Sequence, residues 1–339
     1  MSACCQAALR GSPPCEPRLT RRSTRPARST IGGVALVSVV ALLVLAAPRP
    51  HAAEVAPRML LLDAARIGAE LVAVGERGTI LRSPNGTTWQ SVPRTVRATL
   101  TAVSFAPAAG ESSGRVGWAV GHDAAILATT DGGRTWQQQY RGDNLQDSFL
   151  DVFALDPNHV IAVGAYALFL ETTDAGRTWQ RRKIIEDDFH FNRVTRGPSG
   201  TLYLAGEHGT LLRSTDEGSH WTAIPTDYAG SFYGILPLQR GTLLAYGLRG
   251  HVYRSTDDGA SWRQIATPQP VLLAAAAVTA NGSILLAGYA GTLLLSRDDG
   301  LTFNPLDSPT KAVAELVELP NGNVLALGET GATVIAAPR

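Results

Sequence analysis

A short motif that ends in an aromatic residue recurs six times along the chain, and this repeat constrains the fold more than any other feature. Its clearest copy is RSTDDGASW, at Arg254–Trp262. Each aromatic residue follows the previous one by 40-odd residues, and the six are Trp89, Trp136, Trp179, Trp221, Trp262 and Phe303. A repeat of about 40 residues that contains short alternating apolar segments is typical of a β-propeller blade.

Every unit also contains an apolar segment that ends in glycine, and this second signal occurs seven times. The seven glycines are Gly75, Gly121, Gly164, Gly206, Gly247, Gly288 and Gly328. Six full units and a truncated seventh predict an all-β fold, a seven-bladed β-propeller of four-stranded antiparallel blades that spans residues 54–339. We expect residues around Glu54 to Pro57 to supply the outer strand of the last blade, because this would close the ring and cover an exposed edge.

The repeated polar residues have a structural explanation in the turn between the third and fourth strands. The aspartate carboxylate can accept backbone N–H bonds within the turn, and the glycine two residues later permits a positive φ. The aromatic residue then packs between layers. Because one carboxylate per blade lies far from its copies, we assign a structural role, and not catalysis or calcium binding, to Asp131 and Trp136, Asp174 and Trp179, Asp216 and Trp221, Asp257 and Trp262, and Asp298 and Phe303.

Residues 1–53 have the composition of an export signal. Six arginines within residues 1–30 precede the uncharged apolar run of residues 31–47, which Pro48 follows. This order predicts an N-terminal signal peptide or a membrane anchor, and cleavage and tethering through residues 31–47 remain alternatives. In both cases we expect the propeller to be exported, either free in the periplasm or anchored facing it.

Composition excludes several classes of site. All three cysteines precede the apolar run, so residues 54–339 contain no disulfide, thiolate metal site or cysteine nucleophile. Those residues include 23 basic and 28 acidic side chains, a net charge of −5 that does not suit non-specific binding to nucleic acid. His122 and His208 lie two blades apart without metal-ligand spacing, so we expect no metal site. We also expect no cofactor, no catalytic residues and a monomeric protein.

The turns between the second and third strands vary from blade to blade, unlike the repeated motif. Propeller geometry places these turns, with the connections between blades, on the face away from the motif, and loops on a rigid scaffold often carry function. A single asymmetric site would produce such variation against a repeating background. The candidate partner-binding residues are Glu76, Arg77, His122, Asp123, Tyr166, Glu207, His208, Arg249 and Tyr289, together with Glu329 and the segments of residues 140–149 and 181–191.

The motif resembles the Asp-box of BNR-repeat propellers, a group that includes sialidases, other glycosidases and sortilin-type receptors. The longer unit GEHGTLLRSTDEGSHW, at Gly206–Trp221, is similar to the photosystem II stability and assembly factor family, which also has relatives in non-photosynthetic bacteria. The resemblance extends from about Leu60 to Ala337. It implies a non-enzymatic, exported propeller that binds a membrane or envelope protein and assists its assembly or stability.

Two other functions remain open. One is a sialidase-like propeller that binds or hydrolyses glycans, for which Glu76, Glu207 and Glu329 are carboxylate candidates by position and Tyr289 is a candidate nucleophile. The Arg-Ile-Pro stretch typical of sialidases is missing from the sequence, and so are nucleophile elbows, phosphate loops and dinucleotide fingerprints. The other alternative is a structural accessory of an envelope transport complex.

Overall fold

The structure, a computed structural model, describes residues 54–55, 58–107, 114–142, 144–308 and 310–337, all within one compact unit of residues 51–339. The described residues form seven antiparallel sheets, each with its long strands in chain order. The predicted seven-bladed propeller is confirmed. The proposed signal or anchor of residues 31–47 lies outside the described residues.

The blades are numbered in chain order, and within each the first strand is innermost. In blade one the first to fourth strands are β2 (Leu61–Ile67), β3 (Glu70–Gly75), β4 (Thr79–Ser83) and β5 (Thr88–Ser91), and β1 (Glu54–Val55) is an additional strand at its outer edge. Blade two contains β6 (Leu100–Phe105), β7 (Gly117–Gly121), β8 (Ala125–Thr129) and β9 (Gln137–Arg141). Blade three contains β10 (Phe149–Ala154), β11 (Val160–Gly164), β12 (Phe169–Thr172) and β13 (Gln180–Arg181). Blade four contains β14 (Phe191–Arg196), β15 (Leu202–Gly206), β16 (Leu211–Ser214) and β17 (Thr222–Ala223).

Blade five contains β18 (Phe232–Pro237), β19 (Leu243–Gly247), β20 (Val252–Ser255) and β21 (Arg263–Ile265). Blade six contains β22 (Leu273–Val278), β23 (Ile284–Gly288), β24 (Leu293–Ser296) and β25 (Asn304–Pro305). Blade seven contains β26 (Val313–Glu318), β27 (Val324–Gly328) and β28 (Gly331–Ile335). Three short 3₁₀ turns complete the described secondary structure, at Glu76–Gly78, Gln239–Gly241 and Leu248–Gly250.

The hydrophobic core lies between the blades. Each of seven clusters of buried side chains combines residues of two neighbouring blades, so every blade packs on the next. The second strands, such as Val160–Gly164, are buried along their whole length, except at Glu70 in blade one, because neighbouring blades cover both of their faces. This explains why their sequences are continuous apolar runs that lack the alternation of a half-exposed strand.

The ring closes by side-chain packing, and our prediction that Glu54 to Pro57 would complete the last blade is wrong. The strand Glu54–Val55 pairs with Thr88 and Trp89 at the outer edge of blade one, whereas blade seven has three strands in the described part of the chain. Blades seven and one instead share a buried cluster that includes Leu61, Trp89 and Leu325. Burial of apolar surface supplies this closure without a strand exchanged between the chain ends.

Candidate functional site

The antiparallel order of each blade separates its turns between two faces of the ring. The turns after the first and third strands lie on one face, which we call the motif face. The turns after the second strands, with the connections between blades, lie on the other, which we call the loop face. Each predicted binding residue belongs to a loop-face turn: Glu76 and Arg77 in blade one, His122 and Asp123 in blade two, Tyr166 in blade three, Glu207 and His208 in blade four, Arg249 in blade five and Tyr289 in blade six.

The motif turns form closed networks of hydrogen bonds. In blade two, Asp131 Oδ1 accepts the N–H groups of Arg134 and Thr135, both at 2.9 Å, and the Thr129 hydroxyl at 2.8 Å. Burial raises the pKa of Asp131, but the hydrogen bonds from Thr135 and Thr129 outweigh it and lower the pKa to about 2. Gly133 has a φ of 78°, which favours glycine.

The other motif turns repeat this arrangement. Backbone and side-chain donors within the turn likewise lower the pKa of the motif carboxyl to about 2 in Asp174, Asp216 and Asp257. Burial raises the pKa of Asp298, but the hydrogen bonds within its turn outweigh it and lower the pKa to about 2. These carboxylates use their acceptor capacity inside their own turns, so the five aspartate-containing motif turns of blades two to six have a structural role.

The loop-face turns hold non-glycine residues in the left-handed region. In blades one to six two successive residues have positive φ, and the first of each pair is Arg77, Asp123, Tyr166, His208, Arg249 or Ala290. Turns of this kind favour asparagine and glycine, and a side chain there costs about 1–2 kcal/mol. The motif turns hold Ala175, Glu217, Asp258 and Asp299 in the same region, so the left-handed backbone is a feature of the repeated turns and does not by itself mark a functional side chain. Sequence reasoning predicted the exposure of five of these residues but not their backbone conformation.

The structure brings three of the predicted residues together between blades three and four. The Tyr166 and His190 rings lie 4.8 Å apart, and the Phe189 and His208 rings stack at 4.4 Å. Glu207 Oε2 accepts the His190 N–H at 3.0 Å and lies 2.5 Å from His190 Nδ1. We call Tyr166, Phe189, His190, Glu207 and His208 the aromatic–histidine group. Burial raises the pKa of Glu207, but the hydrogen bonds from His190 outweigh it and hold the pKa below its usual range.

The other predicted residues lie on their own blades. Glu76 Oε1 accepts the Leu60 N–H at 3.1 Å, and His122 Nδ1 lies 2.5 Å from the Ser148 hydroxyl. The side chains of Arg77, Asp123 and Arg249 are exposed, as is that of Tyr289. Within the described residues, no hydrogen bond or ion pair joins one of these predicted residues to another. The loop face is therefore a broad surface with one compact group.

Tyr233 belongs to the loop face and was missed by the sequence analysis. It is the second residue of β18, and burial raises its pKa, with smaller contributions from Tyr289 and Glu207. It therefore lies within electrostatic range of both predicted residues, between the aromatic–histidine group and blade six. Tyr233 lies on an inner strand, where an aromatic residue is expected in the core, so the sequence did not indicate that it belongs to the loop face.

The innermost strands carry an ionic cluster that the sequence analysis also missed, in which Asp151 and Glu315 are buried and Asp63 and Arg193 are half-buried. Arg193 Nη2 donates to Glu315 Oε2 at 2.7 Å, although the two residues belong to blades four and seven. Asp151 Oδ2 accepts the N–H of Val194, and Asp63 Oδ2 accepts that of Val103, both at 2.7 Å and both in a following blade. We call Asp63, Asp151, Arg193 and Glu315 the channel cluster.

Burial and the repulsion of neighbouring carboxylates raise the pKa values of the two aspartates of the channel cluster. Burial, with the charges of Glu315 and Asp151, raises the pKa of Asp63 to about 8. Burial raises the pKa of Asp151 to about 6 against the attraction of Arg193. All four residues are the third residue of a first strand, where each first strand has a β-bulge. An alignment of the seven first strands would have revealed charges at that position.

Three hollows open among these loops. One of about 520 Å³ lies beside Tyr289 and Glu329, one of about 420 Å³ beside Tyr166, and one of about 380 Å³ beside Asp123. In the described ranges, no three histidine, cysteine, aspartate or glutamate side chains are grouped so that they could hold a metal ion. Across that same part of the chain, no helix has the length and apolar character needed to span a membrane.

Comparison with known proteins identifies a relationship for the middle of the ring. Residues 142–271, which contain blades three to five, match the family described as photosynthesis system II assembly factor YCF48. The chain is similar to the photosystem II assembly factor family. The resemblance predicted from the sequence is therefore confirmed. The matched residues carry Tyr166, Glu207, His208 and Arg249. No curated protein matches the chain.

Solved structures with the same fold include members of this family. The structure described as YCF48 bound to D1 peptide aligns with a TM-score of 0.69 at 21% identity, over 84% of this chain and 95% of that one. YCF48 from Cyanidioschyzon merolae aligns with a TM-score of 0.66 at 17% identity, over 83% and 96%. The WD40 propeller domain of Doa1 aligns with a TM-score of 0.64 at 11% identity, over 83% and 94%. At these identities, the likenesses establish the fold.

Proposed function

We propose that the chain is a non-enzymatic scaffold that binds an extended segment of a membrane or envelope protein on its loop face and assists the assembly or stability of that protein. The match of residues 142–271 to the photosystem II assembly factor family is the observation that carries the proposal. The solved relative described as bound to a D1 peptide supports a peptide segment as the ligand. This one peptide-bound structure favours a binding module over a purely structural part.

The geometry of the loop face supports this choice. Tyr166 and Tyr289 are 69% and 55% exposed, and exposed aromatic side chains are enriched where proteins bind proteins. Left-handed backbone at Arg77, Tyr166, His208 and Arg249 sets the direction in which each side chain leaves the ring. A display of aromatic and charged groups on a rigid ring suits an extended partner, because the scaffold loses little backbone entropy when it binds.

Hydrolysis of glycans has less support. A glycosidase needs two carboxyl groups about 5–10 Å apart, one of them a general acid with a raised pKa. The pKa of Glu207 is lowered by His190, which favours a permanent carboxylate. Glu76 accepts the Leu60 N–H, and Glu329 belongs to another blade. We propose that purified protein will hydrolyse neither sialosides nor chromogenic glycosides.

We further propose that the propeller acts outside the cytoplasm as a monomer. The basic region followed by the apolar run of residues 31–47 supports export, with that run as signal or tether. A scaffold at the outer side of the membrane would meet the exported loops and tails of its partner as they emerge. Cell fractionation with a C-terminal epitope tag tests this location.

Capture from solubilised membranes tests the binding function. We would immobilise the full chain, recover crosslinked proteins and identify them by mass spectrometry. Charge reversal by Arg77→Glu together with Arg249→Glu should abolish capture, because both side chains are exposed on the loop face. Arg263→Glu is the matched control, since Arg263 is exposed on the outer strand of the same blade as Arg249.

The outcomes separate the hypotheses. Capture of one envelope protein by the wild type and by Arg263→Glu, but not by the double variant, supports the scaffold and its loop face. Undiminished capture by the double variant contradicts the assignment of this face. Hydrolysis of a glycoside that is lost in Glu207→Gln would replace the scaffold with an enzyme.

A further inference from the structure

The loop-face turn of blade seven is closed differently from the other six. In blades one to six, the residue after the second-strand glycine donates its N–H to the carbonyl that precedes the first strand. These bonds run from Glu76 to Leu60, His122 to Thr99, Ala165 to Ser148, Glu207 to His190, Leu248 to Ser231 and Tyr289 to Leu272. The equivalent pair, Glu329 and Ala312, makes no such bond within the described residues. The Ala312 carbonyl accepts the Thr310 hydroxyl at 3.0 Å instead.

A change of register accompanies the missing bond. Gly75 pairs with Thr79 across the turn of blade one, whereas Gly328 pairs with Gly331 in blade seven. The third strand of blade seven therefore begins one residue earlier, although GETGA at residues 328–332 has the length of GERGT at residues 75–79. The turn is tighter, and the Glu329 N–H does not reach the first strand.

A cleft of about 520 Å³ lies beside this turn, between blades six, seven and one. Its walls are mostly apolar and include Leu60, Leu62, Val313 and Ala314. Ala314 is the second residue of β26, and the equivalent position of β18 holds Tyr233, so a small side chain leaves this part of the channel mouth open. The volume is sufficient for one large aliphatic side chain and the backbone beside it.

The rim of the cleft offers hydrogen-bond donors. Lys311 lines the cleft, its side chain is exposed, and within the described residues it forms no ion pair. Glu329 also lines the cleft, and its backbone N–H donates to no acceptor within the described residues. A carboxylate can accept hydrogen bonds from an ammonium group and from a backbone N–H. Apolar walls next to such a pair therefore select an apolar side chain adjacent to an acidic one.

We infer that this cleft binds an aliphatic side chain of an extended peptide segment, with the carboxylate of a neighbouring acidic residue held by Lys311 and the Glu329 N–H. The inference rests on the proposed scaffold function and adds to it a sequence preference, leucine followed by an acid. A lysine in place of the acid would repel Lys311, and an alanine in place of the leucine would leave the walls uncovered.

Methyl spectroscopy of the full chain tests the cleft directly. Protein with ¹³C-labelled leucine and valine methyl groups is titrated with capped hexapeptides of sequence GSLEGS, GSAEGS and GSLKGS. The methyl signals of Leu60, Leu62 and Val313 should shift with GSLEGS, and the other two peptides should bind about tenfold more weakly. Lys311→Glu and Ala314→Phe should both remove the response, whereas Arg263→Glu should keep it.

Two variants are used so that loss of binding can be separated from misfolding. Lys311→Glu changes an exposed side chain and leaves the packing of the ring intact. No shift of the three signals with GSLEGS, or equal shifts with GSLKGS, overturns the inference. Capture of an envelope protein that persists in both Lys311→Glu and Ala314→Phe also overturns it, while the scaffold function stands. If the double variant of Arg77 and Arg249 retains capture but both cleft variants lose it, the cleft is the part of the loop face that binds, and the assignment of Arg77 and Arg249 to the binding site fails.

Discussion

Replacing Asp63 with asparagine should change how the stability of the ring depends on pH. Asp63 belongs to the channel cluster, where burial and the charges of Glu315 and Asp151 raise its pKa to about 8. The asparagine amide oxygen can still accept the Val103 N–H, which lies 2.7 Å from Asp63 Oδ2. The substitution therefore removes the titration and keeps the hydrogen bond.

The direction follows from proton linkage. In the unfolded chain Asp63 releases its proton near its usual pKa, whereas the folded ring retains it up to about pH 8. Between those values the folded state binds more protons, so the free energy of unfolding falls as pH rises, by at most about 1.4 kcal/mol per pH unit. Asp63→Asn should gain stability relative to wild type by up to about 3 kcal/mol between about pH 5 and pH 7.

Urea unfolding measures this difference. Tryptophan fluorescence is a suitable signal, because five of the six tryptophans lie in the repeated motif of separate blades. Asp131→Asn is the control with the opposite sign. Its lowered pKa of about 2 confers stability that is complete above the unfolded pKa and is lost as pH falls towards 2. Between about pH 5 and pH 7 its effect should be constant.

The reasoning is refuted if the unfolding free energies of wild type and Asp63→Asn differ by a constant amount over this pH range. A difference that shrinks as pH rises would refute it more strongly, because it would mean that Asp63 is stabilised as a carboxylate. A pH-dependent difference in the Asp131→Asn control would show that another group is being titrated.

Three further predictions concern single side chains. Arg193→Met should lower the free energy of unfolding, measured by urea denaturation, by about 3–5 kcal/mol, because it leaves Glu315 buried without its partner. A loss below about 1 kcal/mol, which is typical of a surface ion pair, would contradict this. Gly133→Ala should destabilise by about 1–2 kcal/mol, because φ is 78° and the new methyl group would lie 2.9 Å from Val72; an unchanged urea midpoint would contradict the steric argument. Arg77→Gly should raise the thermal midpoint through relief of about 1 kcal/mol of left-handed strain and yet weaken capture of the partner, and a lower midpoint would show that the arginine stabilises its turn.

Local signals predicted most of the scaffold. The spacing of Trp136, Trp179 and Trp221 indicated the blade repeat, because blades one to six each have one aromatic side chain at the same point of the turn between their third and fourth strands. The order of strands then assigned every turn to a face, which is how Tyr166 and Glu207 could be placed on the loop face from the sequence. These features depend on residues within a few positions of each other, so they can be read from a single chain.

The same local signals misled at blade seven. GETGA at residues 328–332 looks like the turns of the other blades, but it closes one residue earlier, and the strand Glu54–Val55 pairs with blade one. Register between strands depends on the hydrophobic pattern and on turn geometry, and a shift of one residue reverses the faces of a strand. The cleft beside Lys311 lies next to this turn.

Sequence alone determined the repeat, the seven blades, the chemistry of the motif turns and the face on which variable side chains project, because each is set by periodicity and by turn residues. Tertiary structure decided which distant side chains meet. Arg193 reaches Glu315 across 122 positions of the chain, and His190 joins Tyr166 to Glu207, only because the ring places first strands around one axis and neighbouring turns side by side. The burial of the charges in the channel cluster and the shifted pKa values of Asp63 and Glu207 arise from these contacts.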